Sequence, residues 1–396
     1  MSINTENKRD PASGRIDILH LTSAHPVSDT RIFVKEARAL ADAGYRVAVA
    51  GPGDITGHQT KDHVQVFTLA RPKGRLARFT SFARSLYRFS VDMSPRVVHI
   101  HDPDLLLLAW FLKRHGIKTV YDVHEEFPKA ILSRAWLGPL IIRRVAAQLV
   151  DRLERSAAGW LDGIVLADKQ LADRFPQDRS VVTRNYLDMS EWPTTLPAPK
   201  EITPPLRCIY VGDISEARGL TRMCDAIHEA NEAGIEATLE LVGRISDTQR
   251  DTISNHPSAR HIIQHGWGTR SEVASKLATS DIAFCLLEPT PAYREALPVK
   301  VLEYIVSGLQ VIATDLPRLR SETLLNGAIH FVPWDAPKGA LGAAIGKAKT
   351  TDRARQEQLQ QVVIDHYNWA NEAARLNDFY DRLLSDKASK EADSNE

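Results

Sequence analysis

The sequence predicts an α/β protein made of two doubly wound domains, each with a parallel sheet covered by helices. Short β-branched apolar runs alternate with amphipathic segments of helix length, which is typical of this architecture. A proline-rich stretch near residue 200 interrupts the alternation. The chain has 396 residues, 43% hydrophobic and 25% charged, which suits two globular domains.

The predicted strands fall into two groups on either side of that stretch. The first half contains RIDILHL, YRVAVAG, VQVFTLA, RVVHIH, KTVYDV, GIVLAD and SVVTRN. The second half contains LRCIYVG, ATLELVG, HIIQHG, DIAFCLLE, LQVIATD and AIHFVPW. Between them, SEWPTTLPAPKEITPP has five prolines and is interpreted as a linker. We therefore predict a first domain over 15–190, the linker over 191–205 and a second domain over 206–365.

Charge and cysteine usage narrow the class of protein. Residues 1–200 carry 29 Lys and Arg against 22 Asp and Glu, which hints at an anionic partner such as a membrane surface. No aromatic platform or recognition motif accompanies this charge, so we expect no nucleic-acid partner. The three cysteines have no metal-ligand spacing, and the first residues, MSINTENKRDPASG, contain no apolar core. The run LLLLAWFL is too short to span a bilayer, so we expect a cytoplasmic protein.

Residues that directly follow strands are the strongest candidates for ligand binding, because open parallel sheets bind ligands beyond the carboxyl ends of their strands. No G-x-G-x-x-G follows a strand and no G-x-x-x-x-G-K-[ST] occurs, which argues against a dinucleotide enzyme and a P-loop ATPase. The segments that do follow strands are SAHPVSDTRIF, HDPDL, HEEFP, GDISEARG, GRISD and LEPTPAYREALP.

The order and spacing of several segments resemble glycosyltransferase family 4, the retaining enzymes of GT-B architecture, and especially a bacterial branch that builds surface polysaccharides. The resemblance covers about residues 16–384. The segments are SDTRIFVKEARALADAGYRVAVAG, VVHIHDPDLLLLA, VYDVHEEFP, VTRNYLD, YVGDISEARG and LPVKVLEYIVSGLQVIATD. YNWANEAARLNDFYDRLL resembles the family's closing helix, which implies a helix over 366–385 crossing back to the first domain and a disordered tail over 386–396.

The resemblance implies two Rossmann-like domains facing across a cleft, with the acceptor in the first and the nucleotide sugar in the second. It implies transfer of a hexose to a glycan or lipid-linked saccharide without a catalytic metal, so no cofactor is expected. Asp102 and Asp104 form a D-x-D pattern that could hold a metal, but Pro103 at a first helical position favours helix initiation.

Without a metal, the negative charge of the leaving diphosphate has to be stabilised by cationic side chains and by the N-terminus of a helix. The family has an Arg after the glycine of GDISEARG and a Lys before its second glycine. Here Gly212 is followed by Asp213, which would repel phosphate, and Arg218 stands at the Lys position. Arg218 is either a phosphate ligand or a surface residue. Lys300 is a candidate replacement for the absent Arg, since helical side chains lean toward the helix start.

Glu295 and Glu303 match the family's E-x7-E element. The match implies that Glu295 bonds the transferred sugar and Glu303 the ribose. The alternative is ordinary helix design, with Pro298 at the first helical position. The predicted amide contacts to the diphosphate come from Ala296, Leu297 and Val299.

His124 matches the family's cleft histidine beside the transferred sugar, which makes it a catalytic candidate with Glu295; a loop-stabilising role is the alternative. Nearby Asp122, Glu125 and Glu126 could orient it or act on an acceptor, and the sequence does not choose. The predicted acceptor or cleft residues are His101, Asp29, Arg31 and Glu125. His99 is expected in the core or behind the site.

The basic segment 71–91 has Leu76, Phe79, Phe82, Leu86 and Phe89 on one helical face, with Arg84 and Arg88 opposite. It either packs on its own sheet or contacts an anionic membrane carrying a lipid-linked acceptor, and SRAWLGPLIIRR (133–144) favours the membrane.

Two alternatives to glycosyl transfer stay open: a non-catalytic GT-B binding or scaffold protein, and a nucleotide-sugar epimerase. The sequence does not identify the sugar, the base or the acceptor.

Overall fold

The computed structural model describes residues 14–133, 137–192, 203–349 and 353–392. The chain forms two compact units, the first made of residues 1–185 and 369–396 and the second of residues 186–368. Most of the predicted linker, 193–202, lies outside the described residues. The last helix runs through Ala392, into the segment predicted as a disordered tail.

The first unit is built on an eight-stranded sheet in the order β3-β4-β2-β1-β5-β6-β7-β8. All neighbouring pairs are parallel except β3 with β4. The seven predicted strands are present. The eighth, β3, is a wholly exposed antiparallel edge strand with no apolar face, so periodicity could not reveal it. The strands are β1 (Ile18–Leu21), β2 (Val47–Gly53), β3 (Gly57–Lys61), β4 (Val64–Ala70), β5 (Val97–Ile100), β6 (Lys118–Val123), β7 (Gly163–Leu166) and β8 (Ser180–Val182).

Helices cover both faces of this sheet, because its central strands are buried on both sides. One face carries α1 (Thr30–Ala37, continued as Arg38–Asp42) and the C-terminal helix Trp369–Ala392. The other carries α2 (Arg75–Ala77, Arg78–Phe82 and Ala83–Met93), α3 (Leu106–Arg114) and α5 (Leu140–Trp160). A shorter helix, α4 (Phe127–Ser133), packs against α5.

The second unit has a six-stranded, all-parallel sheet in the order β11-β10-β9-β12-β13-β14, and all six predicted strands are present. They are β9 (Leu206–Val211), β10 (Ala237–Val242), β11 (Ile262–His265), β12 (Ile282–Cys285), β13 (Gln310–Thr314) and β14 (Ile329–Val332). Its helices are α6 (Leu220–Glu232), α7 (Asp247–Ser254), α8 (Arg270–Thr279), α9 (Pro291–Arg294), α10 (Val299–Val306), α11 (Pro317–Arg320), α12 (Ala340–Ala348) and α13 (Arg353–His366).

The strand order of each sheet reverses at one point. In the first unit the chain winds from β1 to one edge and then returns to build β5 to β8 on the other side. In the second unit the same reversal lies between β9 and β12. Ligands of doubly wound sheets bind beyond the carboxyl ends of the strands at such a switch point. The topology therefore marks one candidate site in each unit.

Candidate active site

The first unit has a pocket of about 390 Å³ beyond the carboxyl ends of β5 and β6, called the histidine pocket below. Its lining includes three predicted residues, His101, His124 and Glu125. Asp29 and Arg31, which the sequence also proposed, do not line it. The full lining is Ala24, His25, Arg78, His101, Asp102, Pro103, Tyr121, Asp122, His124, Glu125 and Phe127.

The buried carboxylate of Asp122 lies at the centre of the contacts beneath this pocket. Arg31 donates to it twice, from Nε to Oδ2 at 2.8 Å and from Nη2 to Oδ1 at 2.7 Å. His124 Nε2 lies 2.8 Å and His101 Nδ1 3.1 Å from Oδ2. Burial alone would raise the pKa of Asp122, but Arg31 and the two histidines hold it well below its usual value. Asp122 is therefore an anion that orients His124.

A line of hydrogen bonds determines the histidine tautomers. Because Asp122 accepts, His101 donates from Nδ1, and its Nε2 then accepts from His20 Nδ1 at 2.8 Å. Burial lowers the pKa of both His20 and His101, so both rings are neutral. His124 presents its Nε2–H to Asp122. Its Nδ1, which has no partner among the described residues, is then the nitrogen available to a ligand.

Arg31 and Asp29 support the pocket from α1. Arg31 is 5% exposed and also donates to the carbonyl oxygen of Thr183 at 2.9 Å. Asp29 occupies the N-cap of α1, where its Oδ1 accepts the amides of Arg31 and Ile32 at 2.9 and 3.2 Å. In this structure Arg31 positions Asp122, and Asp29 positions Arg31 by starting the helix.

Asp102 corrects one sequence expectation. It stands before Pro103 at an N-cap position, as predicted, but its side chain makes no capping hydrogen bond. Instead its Oδ2 accepts from Thr22 Oγ1 and from the amide of Ser23, both at 2.8 Å, which ties down the loop after β1. Its Oδ1 lies 3.2 Å from His25 Nδ1. The tertiary contact displaces the local cap because it satisfies three donors at once.

The D-x-D carboxylates point to different partners, since Asp104 pairs with Arg78 at 2.7 Å. Two other groups bring metal-type ligand atoms within 4.8 Å of one another: His101, Asp122 and His124, and the buried set His20, Glu36, His99 and His101. Arg31 lies 3.0 Å from Glu36 as well as against Asp122. A guanidinium thus already sits beside both acidic side chains, and a metal ion there would meet its repulsion.

The His25–Asp102 pair predicts a pH-dependent contact. The Asp102 carboxylate raises the pKa of His25 above its ordinary value, although partial burial opposes the rise. The pair should stabilise the folded state fully below the unfolded pKa of about 6.5, and this contribution is lost as pH rises through the folded pKa. In an NMR titration, Asp102→Asn should lower the pKa of His25, whereas Asp54→Asn on an exposed loop should not. An unchanged His25 titration in Asp102→Asn would contradict this account.

The second site lies beyond β9 and β10, where two glycines allow the backbones to meet. A Cβ at Gly243 would lie 1.9 Å from the carbonyl oxygen of Gly212. Gly212 itself has φ of 126°, which disfavours any other residue. A Cβ there would lie 3.0 Å from Lys300 Nζ and 3.7 Å from Arg218 Nη1. The structure therefore brings Gly212, Lys300 and Arg218 together.

Lys300 is held in place by two hydrogen bonds. Its Nζ donates to Tyr210 Oη at 2.9 Å and to the carbonyl oxygen of Val211 at 3.0 Å. Tyr210 Oη in turn donates to the carbonyl oxygen of Asp213 at 2.9 Å. The side chain of Asp213 is exposed. These contacts fix the ammonium group over Gly212 without an ion-pair partner among the described residues.

The start of α10 differs from the prediction by one position. Pro298 is the N-cap residue and the helix begins at Val299, so Pro298 removes no donor from the first turn. The amide of Ala296 bonds to the carbonyl oxygen of Tyr293 at 3.4 Å. The first-turn amides of Val299 and Lys300 are therefore better donors than that of Ala296. Leu297 precedes them and packs against the core of the unit.

The two glutamates of the E-x7-E element have different surroundings. Glu295 is exposed at the end of α9, and its carboxylate has no partner in the described part of the chain. Glu303 lies just over one turn into α10, and its Oε1 pairs with Arg270 Nη1 at 2.8 Å. Arg270 opens α8, which follows the end of β11. Sequence reasoning did not find Arg270, because the pair joins residues 33 positions apart.

Four further residues at these two edges were not singled out from sequence: His25, Tyr210, Arg244 and Trp267. His25 lies in the loop after β1, and Tyr210 lies near the end of β9. Their positions in the sequence, rather than their residue types, could have marked them as candidates for ligand binding. Arg244, after β10, lies over the exposed ring of Trp267, after β11, with its Cζ 4.8 Å from the ring centroid. All four lie at the carboxyl ends of strands, where the topology places ligands.

Comparison with known proteins agrees with this architecture. Residues 30–185 match the family described as glycosyl transferase 4-like domain, and residues 205–347 match glycosyl transferases group 1. Sucrose-phosphate synthase from Thermosynechococcus elongatus is 14% identical, with a TM-score of 0.70 over 94% of this chain and 100% of that one. A glycosyltransferase from Rickettsia africae is 15% identical, with a TM-score of 0.65 over 94% and 99%. Anabaena HepE, solved with UDP-glucose, is 14% identical, with a TM-score of 0.65 over 94% and 100%.

No curated protein sequence matches the chain. The fold and the two domain matches nevertheless define a glycosyltransferase of the GT-B architecture. Within that class, the first domain belongs to the glycosyl transferase 4-like family and the second to glycosyl transferases group 1.

Proposed function

We propose that this glycosyltransferase moves a hexose, with retention of configuration, from a nucleoside-diphosphate sugar to a glycan or lipid-linked saccharide. The second unit would bind the donor and the first the acceptor. We place the reaction on the cytoplasmic side of a cell membrane, in the synthesis of a polysaccharide. The observation that carries the proposal is the convergence of Lys300 and Arg218 on the space above Gly212.

The proposed chemistry requires no catalytic metal. Negative charge builds on the departing diphosphate, and fixed donors that face it lower the barrier. Lys300, Arg218 and the first-turn amides of α10 would supply those donors, with the positive end of the helix behind them. The acceptor hydroxyl would then enter on the face that the diphosphate leaves, without a covalent enzyme intermediate.

His124 would act on the transferred sugar. Asp122 holds its Nε2 and so directs Nδ1 toward a ligand. A neutral imidazole in this tautomer accepts a hydrogen bond from a sugar hydroxyl. His101, behind it, keeps Asp122 charged and oriented. Glu125 at the same pocket is a candidate contact for the acceptor.

A panel of nucleotide sugars tests the proposal, starting with UDP-glucose because HepE was solved with it. The melting temperature should rise when the true donor is added, since a ligand at 100 times its dissociation constant adds about 2.7 kcal/mol to the free energy of unfolding. Transfer or slow hydrolysis of that donor would support the proposal. Binding without turnover would instead indicate a scaffold protein, and an isomerised donor would indicate an epimerase.

Glutamine substitutions of the two E-x7-E residues should have different effects. Glu303→Gln should mainly weaken nucleotide binding, both by changing the ribose contact and by releasing Arg270. Glu295→Gln should mainly lower kcat, because its contact to the sugar strengthens as charge develops. Nucleotide titration and steady-state kinetics separate the two effects.

Arg270→Gln is the matched control, because it removes the ion pair with Glu303 while leaving the Glu303 carboxylate intact. If Glu303→Gln and Glu295→Gln both kept native affinity and turnover but melted earlier, the element would be only a helix-initiating sequence.

A further inference from the structure

The helix α5 exposes its large apolar side chains to solvent. Ile141, Val145, Leu149 and Leu153 recur every fourth residue and are 72%, 52%, 59% and 42% exposed. This spacing places them in one stripe along the helix. The residues that α5 buries are small or polar: Ala147, Glu154, Ala157 and Ala158. The amphipathic pattern of α5 is therefore the reverse of that in a helix whose apolar side packs on its own sheet.

Neighbouring helices extend this apolar surface. Leu76 and Phe79 of α2 are 77% and 55% exposed, and Leu107 and Phe111 of α3 are 60% and 44% exposed. Helices α2, α3 and α5 pack side by side on one face of the sheet. We call the outward side of these three helices the outer layer. An exposed apolar surface of this extent on a folded unit indicates a binding surface.

The outer layer is also basic. Its three helices contain ten Lys and Arg against three Asp and Glu, and one of those acids, Glu154, is buried. Arg84, Arg88, Arg144 and Arg152 are exposed and have no ion-pair partner among the described residues. Free cations beside exposed apolar side chains match the chemistry of an anionic phospholipid surface.

The outer layer also borders the histidine pocket. Arg78 of α2 lines that pocket, and so does Phe127 at the start of α4, which packs against α5. A membrane lying on this layer would bring its headgroups close to the pocket mouth. Within the described residues no helix is long and apolar enough to cross a bilayer.

We propose that the outer layer docks on an anionic membrane, with the stripe of α5 among the lipid chains and the free arginines at the headgroups. That the membrane also carries the acceptor rests on the proposed function; the docking itself does not. This differs from the sequence expectation, which centred on 71–91. There Phe82 and Leu86 are buried against the sheet, and only Leu76 and Phe79 at the helix start are exposed. Of the segment 133–144, residues 134–136 lie outside the described residues.

Co-sedimentation of the full chain with vesicles tests the docking. Vesicles of phosphatidylcholine with phosphatidylglycerol should bind the protein, and vesicles of phosphatidylcholine alone should bind it more weakly. Ile141→Gln with Leu149→Gln should reduce partitioning about tenfold or more, because two exposed side chains can no longer enter the lipid. Arg144→Gln with Arg152→Gln should weaken binding and reduce its salt dependence.

Leu324→Gln is the matched control, because Leu324 is 49% exposed in the second unit, outside the three helices of the outer layer, and its substitution should leave binding unchanged. No binding to anionic vesicles, or equal binding by the α5 variant and the wild type, would overturn the proposal. So would a dimer in sedimentation equilibrium that the α5 substitutions dissociate, because the stripe would then bind a second copy. Transfer to a soluble acceptor should survive in the α5 variant, which keeps this test separate from that of the enzyme activity.

Discussion

Replacement of Arg31 by methionine is expected to lower the free energy of unfolding by about 3–5 kcal/mol, the cost of breaking a buried ion pair. The substitution leaves the buried Asp122 carboxylate without its guanidinium partner. Chemical denaturation at neutral pH measures the loss. The difference from wild type should narrow as pH falls below about 4, because the contribution of the pair is full above the unfolded pKa of Asp122 and is lost as pH falls through its lowered folded pKa.

Asp122→Asn should lower the free energy of unfolding by less than Arg31→Met does. Burial raises the pKa of Glu36, and the neighbouring Asp122 carboxylate raises it further. Glu36 is therefore protonated beside Asp122 in the native protein. Without Asp122, Glu36 can ionise and pair with Arg31, which lies 3.0 Å away. Arg38→Met is the control, because the partly exposed pair of Arg38 with Asp62 is 3.9 Å long and should contribute under about 1 kcal/mol. Equal losses in Arg31→Met and Arg38→Met would refute the buried-pair account.

Lys300→Met is expected to reduce kcat/KM by about ten- to a hundredfold, or about 1.5–3 kcal/mol of transition-state stabilisation. Lys300 is a fixed cation over Gly212, and Asp213 stands where the family has an arginine. Arg218→Gln should reduce kcat/KM by a similar factor, because both cations face the same diphosphate. Steady-state kinetics with the donor found in the panel measures both.

Lys338→Met is the matched control for charge, since Lys338 is 78% exposed in the same unit and should keep native kinetics. Because Lys300 also bonds Tyr210 and Val211, the melting temperature of Lys300→Met should be recorded beside its activity. Native kinetics in Lys300→Met would show that this lysine does not compensate for Asp213.

Local sequence predicted most of the fold because parallel strands buried on both faces form continuous apolar runs. VVHI and IAFC are such runs, and both are wholly buried strands. The edge strand Gly57–Lys61 was missed because an exposed strand needs no apolar residue. Pro298 was placed one residue too far into its helix, since the N-cap and first helical positions both accept proline.

The sequence by itself determined the two sheets and the strand ends at which chemistry-bearing residues lie, because hydrophobic periodicity is a local property of the chain. It also singled out Gly212 and Arg218 in the segment after β9, and Lys300 in the first turn of a helix. Only the tertiary structure decided what those residues contact. Asp122 meets Arg31 across 91 residues, and Asp102 binds the loop after β1 in place of capping its own helix. The outward stripe of α5 was likewise decided by packing, because periodicity shows that a helix has an apolar side but not whether that side faces the sheet.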